Sequence, residues 1–230
     1  MQICQVLRSA SSALVACALG LAADGCGAGS AGVDYGHYDR TSRVSVGPAL
    51  RVRWAKPLAQ EFGGPFVPVE RAGVAIDAAQ ERLFIGNSER ELYAIARTGR
   101  VLWKRKFDAG IDAEPTLDAR RDELYVATAS GHVHGISASD GTTRFDVDLG
   151  ASISQPGVLS DDALYLVTDG DGVFALSRKD GTTLWRYQRE PRAGLKITGH
   201  AGLLSSDQRL ITGFSDGTIV ALAKGDGRVL

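Results

Sequence analysis

Gly172-Val-Phe-Ala-Leu-Ser-Arg-Lys-Asp-Gly-Thr-Thr-Leu-Trp185 reads as a strand, a tight turn and a second strand. Val173 to Leu176 are short and apolar. Asp180-Gly181 is turn chemistry, because glycine tolerates positive φ and an aspartate carboxylate can bond its own backbone. Thr182 to Trp185 has the β-branched and aromatic character of a strand. Working outward, the same pattern returns at Leu92 to Trp103, Val133 to Phe145 and Ile219 to Leu230. The turn glycines Gly99, Gly141, Gly181 and Gly227 stand 42, 40 and 46 residues apart. A period of about 40 to 50 residues, with several strands in each unit, predicts a β-propeller.

Each unit divides into four short strands. Their second strands share a core: Leu83-Phe84-Ile85, Leu124-Tyr125-Val126, Leu164-Tyr165-Leu166 and Leu210-Ile211-Thr212. Blades are expected near residues 73–107, 113–149, 154–187 and 196–230. Leu50 to Trp54 alternates with period two and predicts a strand ahead of the first blade, with Trp54 closing an earlier unit. Leu230 falls where the previous copy has Leu184, so the expected architecture is all-β, with about four four-stranded blades and an incomplete last one. A blade cannot bury both faces alone; stacking on its neighbours does so.

The 230 residues carry a formal net charge of −1 and no basic run, which argues against a general electrostatic mode of nucleic-acid or membrane-surface binding. The cysteines, Cys4, Cys17 and Cys26, all lie in the first 26 residues, so the propeller body has no disulfide and no thiolate metal site. Residues 1–26 have the character of a secretory signal: Arg8 is the only charge before Asp24, and Ser9 to Ala23 is small and apolar. Two cysteines are candidates for lipid attachment. Leu14-Val15-Ala16-Cys17 is a good lipobox after a short apolar run. Ala23-Asp24-Gly25-Cys26 follows an apolar run of better length, and Cys26 is preferred. Residues 27–47 are rich in glycine and polar residues and read as a flexible linker.

Ala175-Leu176, Asp180-Gly181 and Leu184-Trp185 resemble the repeat of the pyrroloquinoline-quinone (PQQ) type of propeller. Joined to a lipobox and a tether, the chain resembles the BamB family of lipoproteins. That resemblance covers residues 48 to 230. It implies a non-enzymatic scaffold of the β-barrel assembly machinery, lipid-anchored at the periplasmic face of the outer membrane. There it would bind a periplasmic domain of the BamA-like barrel-assembly protein. The family's partner-binding stretch, Leu-x-Leu-Arg-Gly, is matched by Leu195-Lys196-Ile197-Thr198-Gly199, so Leu195 and Ile197 are the partner-binding candidates, with Thr198 in place of the arginine. A PQQ-dependent dehydrogenase fragment and a generic periplasmic interaction propeller are the alternatives.

No catalytic, cofactor or metal residues are assigned. Asp169-Gly170-Asp171-Gly172 lacks the spaced carboxylates of a calcium loop and reads as a β-turn. His132 and His134 share a strand face, but the sequence offers no third metal ligand, and ordinary strand positions are expected. Arg189, Arg192 and Lys196 read as a solvated loop before the fourth blade rather than a basic rim.

Overall fold

The computed structural model describes residues 52–58, 70–189 and 201–230. The described secondary structure is all β. The first sheet holds β1 (Val74–Asp77), β2 (Arg82–Gly86), β3 (Glu91–Ala96) and β4 (Val101–Lys106). The second holds β5 (Thr116–Asp118), β6 (Glu123–Ala127), β7 (His132–Ser137) and β8 (Thr143–Asp148). The third holds β9 (Val158–Leu159), β10 (Ala163–Val167), β11 (Gly172–Ser177) and β12 (Thr183–Gln188). The fourth holds β13 (Leu204–Ser206), β14 (Arg209–Gly213) and β15 (Ile219–Ala223). Every sheet is an antiparallel meander of sequential strands, and β1, β5 and β9 lie side by side at its inner edge. These are the blades of a propeller.

Two expected strands differ. Residues 52–54 carry no strand pairing, and the expected last strand, Arg228 to Leu230, is reduced to a single bridge between Leu222 and Val229. A lone bridge beyond the Gly227 turn leaves three strands in the fourth sheet.

Strand alternation distributes side chains between successive apolar layers. Leu124 and Val126 of β6 point into the layer between the first and second sheets, with Phe84, Leu92 and Ile136. Tyr125 and Ala127 point the other way, into a layer with Phe145, Leu164, Leu166 and Leu176. Tyr165 and Val167 of β10 enter the third layer, with Leu210, Val220 and Leu222. The strands β6 and β10 are therefore buried along their whole length, whereas β14 is buried on alternate residues only.

One contact joins each sheet to the next. The aromatic residue of an outer strand lies on the turn glycine of the following sheet. Trp103 covers Gly141, Phe145 covers Gly181 and Trp185 covers Gly227, with ring atoms 2.5 to 3.1 Å from where a Cβ would stand. Trp54 covers Gly99 in the same way, so it fills the closing position expected of it without belonging to a strand. These glycines have φ between +71° and +85°, where an L side chain is strained, and a Cβ would also strike the ring. Asp140, Asp180 and Asp226 each accept the backbone N–H two residues on and fix the turn. The indole N–H then donates across the joint: Trp54 to Arg97 O (2.8 Å), Trp103 to Ala138 O (3.2 Å) and Trp185 to Lys224 O (2.8 Å).

Buried ion pairs form a second set of joints. Arg82 of β2 donates to Asp77 (2.9 Å), to Ala138 O (2.9 Å) and to Asp122 of the next sheet (3.0 Å). Arg178 reaches back from the third sheet to Glu123 (2.6 Å) and Asp118, and also donates to Ser160 O (2.7 Å). Tyr125 donates to Glu123 (2.6 Å), and burial with that carboxylate pushes its phenol up to about 12. At the third joint, Arg189 donates twice to Asp216 (2.9 and 2.7 Å) and once to Thr218 (2.9 Å). The Asp171 carboxylate accepts from Ser215 N and Oγ, so the Asp-Gly-Asp-Gly stretch is a β-turn that ties two sheets together.

Trp185→Ala should lower unfolding free energy by about 3 kcal/mol. Trp185→Phe should cost only about 1 kcal/mol, because Phe145 already serves at one joint; urea denaturation separates the two. Arg178→Met should cost about 3 kcal/mol, since it takes from Asp118 its cation and leaves Glu123 with only the partly exposed Arg144. The hydrogen bonds from Arg189 and Thr218 hold Asp216 at about 2, below the ~3.9 of an unfolded aspartate. Its contribution is therefore complete above the unfolded value and lost as the pH falls through about 2. Asp216→Asn should flatten the decline in urea midpoint between about pH 4 and pH 2, and an unchanged slope would remove the assignment.

Candidate interaction surface

The sequence places its partner-binding candidates, Leu195 and Ile197, before the fourth sheet; both lie outside the described residues, as do Cys17, Cys26, Arg192, Lys196 and His200. The structure does define the two ends between which residues 190–200 run. On one side, Arg189 N donates to Asp171 O (3.1 Å), and the side chain is clamped to Asp216 and Thr218. Arg189 is thus a joint between sheets and not part of a solvated loop. On the other side, Thr212 Oγ1 donates to Ala201 O (3.1 Å). The segment therefore springs from two points fixed on the third and fourth sheets.

Apolar surface is exposed on two of the sheets. On the fourth sheet, Leu204 and Ile219 are 62% and 75% exposed, on the face turned away from the third sheet. On the first sheet, Ile76 is 71% exposed. Ile76 also borders a cleft of about 300 Å³ between the inner strands of the first three sheets, lined by Ala75, Glu114, Thr116, Leu117 and Pro156. The cleft is open and shallow, with one carboxylate, Glu114, at its wall.

The second cluster was only half visible in the sequence. His132 and His134 do share a face of β7, and the antiparallel register sets Asp146 of β8 opposite His134. Asp146 Oδ1 lies 2.8 Å from His132 Nδ1 and 3.5 Å from His134 Nδ1. On its far side, His134 Nε2 meets Asp108 Oδ1 at 3.1 Å, and the edge of Phe107 packs on its ring. Burial tends to raise the Asp108 carboxyl. Hydrogen bonds from Ser130 and His134 outweigh that and hold it at about 2. Asp146 and Asp108 stand 12 residues after and 26 residues before His134, so only strand pairing and sheet stacking could have revealed them.

Comparison with known proteins agrees with this architecture. The family model described as outer membrane protein assembly factor BamB matches residues 43–121 and 96–230. The assembly factor BamB of Shewanella oneidensis is 22% identical over 143 residues, which is 57% of this chain and 36% of that protein. BamB of Legionella pneumophila is 26% identical over 152 residues, 62% of this chain and 39% of that protein. This chain thus spans under two fifths of the length of these curated relatives. Among solved structures, BamB from Moraxella catarrhalis superposes with a TM-score of 0.62 at 21% identity, covering 71% of this chain and 49% of that one. The quinohemoprotein alcohol dehydrogenase ADHIIG of Pseudomonas putida superposes with a TM-score of 0.59 at 14% identity, covering 71% and 34%, a likeness of fold alone. Because the family match runs from before the first sheet to the end of the fourth, the chain belongs to the BamB family of outer membrane protein assembly factors.

Proposed function

We propose that this chain is a non-enzymatic periplasmic scaffold that aids the assembly and insertion of outer-membrane proteins. The observation that carries the reading is the family match through all four sheets, joined by two relatives that both bear the name of an assembly factor. The physical basis is display. Antiparallel sheets locked by ring-on-glycine joints and buried ion pairs are stiff, so the connections between them are held at fixed separations. The segment 190–200, rooted at Arg189 and Ala201, is one such connection, and Leu195 and Ile197 are its apolar anchors. Two apolar side chains at i and i+2, presented on a rigid base, suit a partner that offers an exposed strand or a shallow apolar groove.

In this reading, residues 1–26 are the signal and lipoprotein segment, 27–47 the tether and 48–230 the propeller repeats. Cys26 carries the lipid, with Cys17 as the alternative. A lipid anchor and a flexible tether of this length keep the propeller at the periplasmic face of the outer membrane without a spanning helix. The partner is a periplasmic domain of a BamA-like barrel-assembly protein.

The tagged full chain and a Leu195→Ala/Ile197→Ala variant, each used to capture proteins from solubilised outer membranes, provide the test. The barrel-assembly protein should be recovered by the parent and reduced at least tenfold with the double variant. Equal recovery by both would move the contact away from residues 195–197, and recovery by neither would refute the partner. In the same cells, labelled palmitate should enter the parent and be lost in Cys26→Ala.

A further inference from the structure

We propose that His132, His134 and Asp146 form a binding site for a divalent first-row transition-metal ion of the zinc type. One nitrogen from each imidazole and one carboxylate oxygen lie within 4.8 Å of one another, on a single face of β7 and β8. The antiparallel register of His132 to Gly135 against Phe145 to Asp148 holds them there, so no loop has to close to bring them together.

The geometry around His134 suits a cation. Asp108 Oδ1 lies 3.1 Å from His134 Nε2, and the other Asp108 oxygen accepts from Ser130. With Nε2 turned to that carboxylate, Nδ1 is the ring atom that faces Asp146, 3.5 Å from its Oδ1. His132 Nδ1 meets the same Asp146 oxygen at 2.8 Å. His134 is only 7% exposed, so water has little room at this point. A metal ion here would be within reach of both imidazoles and of the carboxylate at once.

The surroundings also match a metal centre. A histidine ligand usually donates its second ring N–H to a carboxylate, which fixes the tautomer and raises the basicity of the ligating nitrogen. Asp108 occupies that place for His134 and is itself held by Ser130 and Thr128. Phe107 packs on the His134 ring and sets its orientation, while the two imidazoles stack at 5.9 Å with 16° between their planes. Two imidazoles and one carboxylate suit Zn²⁺, Cu²⁺ or Ni²⁺, and do not suit Ca²⁺ or Mg²⁺, which take oxygen ligands. His132 and Asp146 are 33% and 46% exposed, so the ion would be exchangeable, with its fourth position open to water. A bound ion would tie β7 to β8 and, through Asp108, the second sheet to the first.

Titration of ZnCl₂ into the purified full chain, followed by calorimetry, tests the proposal. One ion should bind per chain at micromolar or tighter affinity. His132→Ala and Asp146→Asn change exposed side chains, so both variants should fold and bind zinc at least tenfold more weakly. Asp108→Asn, a change to a positioning residue, should weaken zinc by about tenfold and leave the stoichiometry unchanged. Zinc should raise the Tm of the parent and not of His132→Ala, and a millimolar excess of Ca²⁺ should leave zinc binding unaltered. Failure to bind zinc would overturn the proposal. So would equal zinc affinity in the parent and both variants, because the ion would then sit on other groups, such as His37, His200 or the N-terminal cysteines. None of these readouts depends on the assembly partner.

Discussion

The fold depends on one contact: an aromatic ring of each outer strand pressed against a backbone turn that has no Cβ. The requirement is mutual. The turn needs glycine because φ is positive there, and the ring needs glycine because a Cβ would stand 2.5 to 3.1 Å from its carbons. Since at the joints of Trp103, Phe145 and Trp185 the ring belongs to one sheet and the turn to the next, the contact orders the sheets along the chain. It also supplies a polar bond where the indole N–H meets a carbonyl, so the backbone at the joint is satisfied as well as covered. Where Phe145 replaces tryptophan, the ring has no N–H to give to the corresponding carbonyl of Arg178, and the Tyr125 hydroxyl 3.5 Å from it donates to Glu123. Apolar cover is thus kept at all four joints, and the indole bond is made at three of them.

The ion pairs obey a looser rule. Arg82 and Glu123 hold the same place, at the start of the second strand of their sheets, yet carry opposite charge. Arg82 reaches forward to Asp122, whereas Glu123 receives Arg178 from the sheet that follows. What the joint requires is a compensated buried pair; which side supplies the cation is open. Such pairs add little net stability over apolar packing, but an unmatched partner is costly, so each pair disfavours any stacking that would separate its members.

This difference explains what could be read in advance. The ring-on-glycine joint uses residues at fixed spacing within a repeat, so Gly99, Gly141, Gly181 and Gly227 revealed the blades without a structure, and Trp54 could be placed as a closing residue. Its local conformation could not, since alternation in Leu50 to Trp54 is satisfied by docking one ring as well as by pairing a strand. The ion pairs and the His132–His134–Asp146 group depend on register between strands and on stacking between sheets. Nothing in the spacing of Asp108, His134 and Asp146 announces that they meet. Arg189 belongs to the same class: in the sequence it is one more loop cation, and only the stacking of the third sheet on the fourth gives it Asp216.

The fold alone cannot decide between scaffold and enzyme, because a quinohemoprotein alcohol dehydrogenase superposes nearly as well as an assembly factor. Stacked sheets with glycine turns are a frame, and what the frame does is set by its connections and by the side chains on its exposed faces. Here the family match assigns the chain to the assembly factors, and the scaffold reading rests on that match rather than on superposition. Among the described residues, the exposed faces carry a shallow cleft walled by one carboxylate and the apolar Leu204 and Ile219 of the fourth sheet. Apolar side chains at such positions gain free energy only when something covers them. The face of the fourth sheet turned away from the third therefore gains from any apolar surface stacked on it, whether a further sheet of the same fold or another protein.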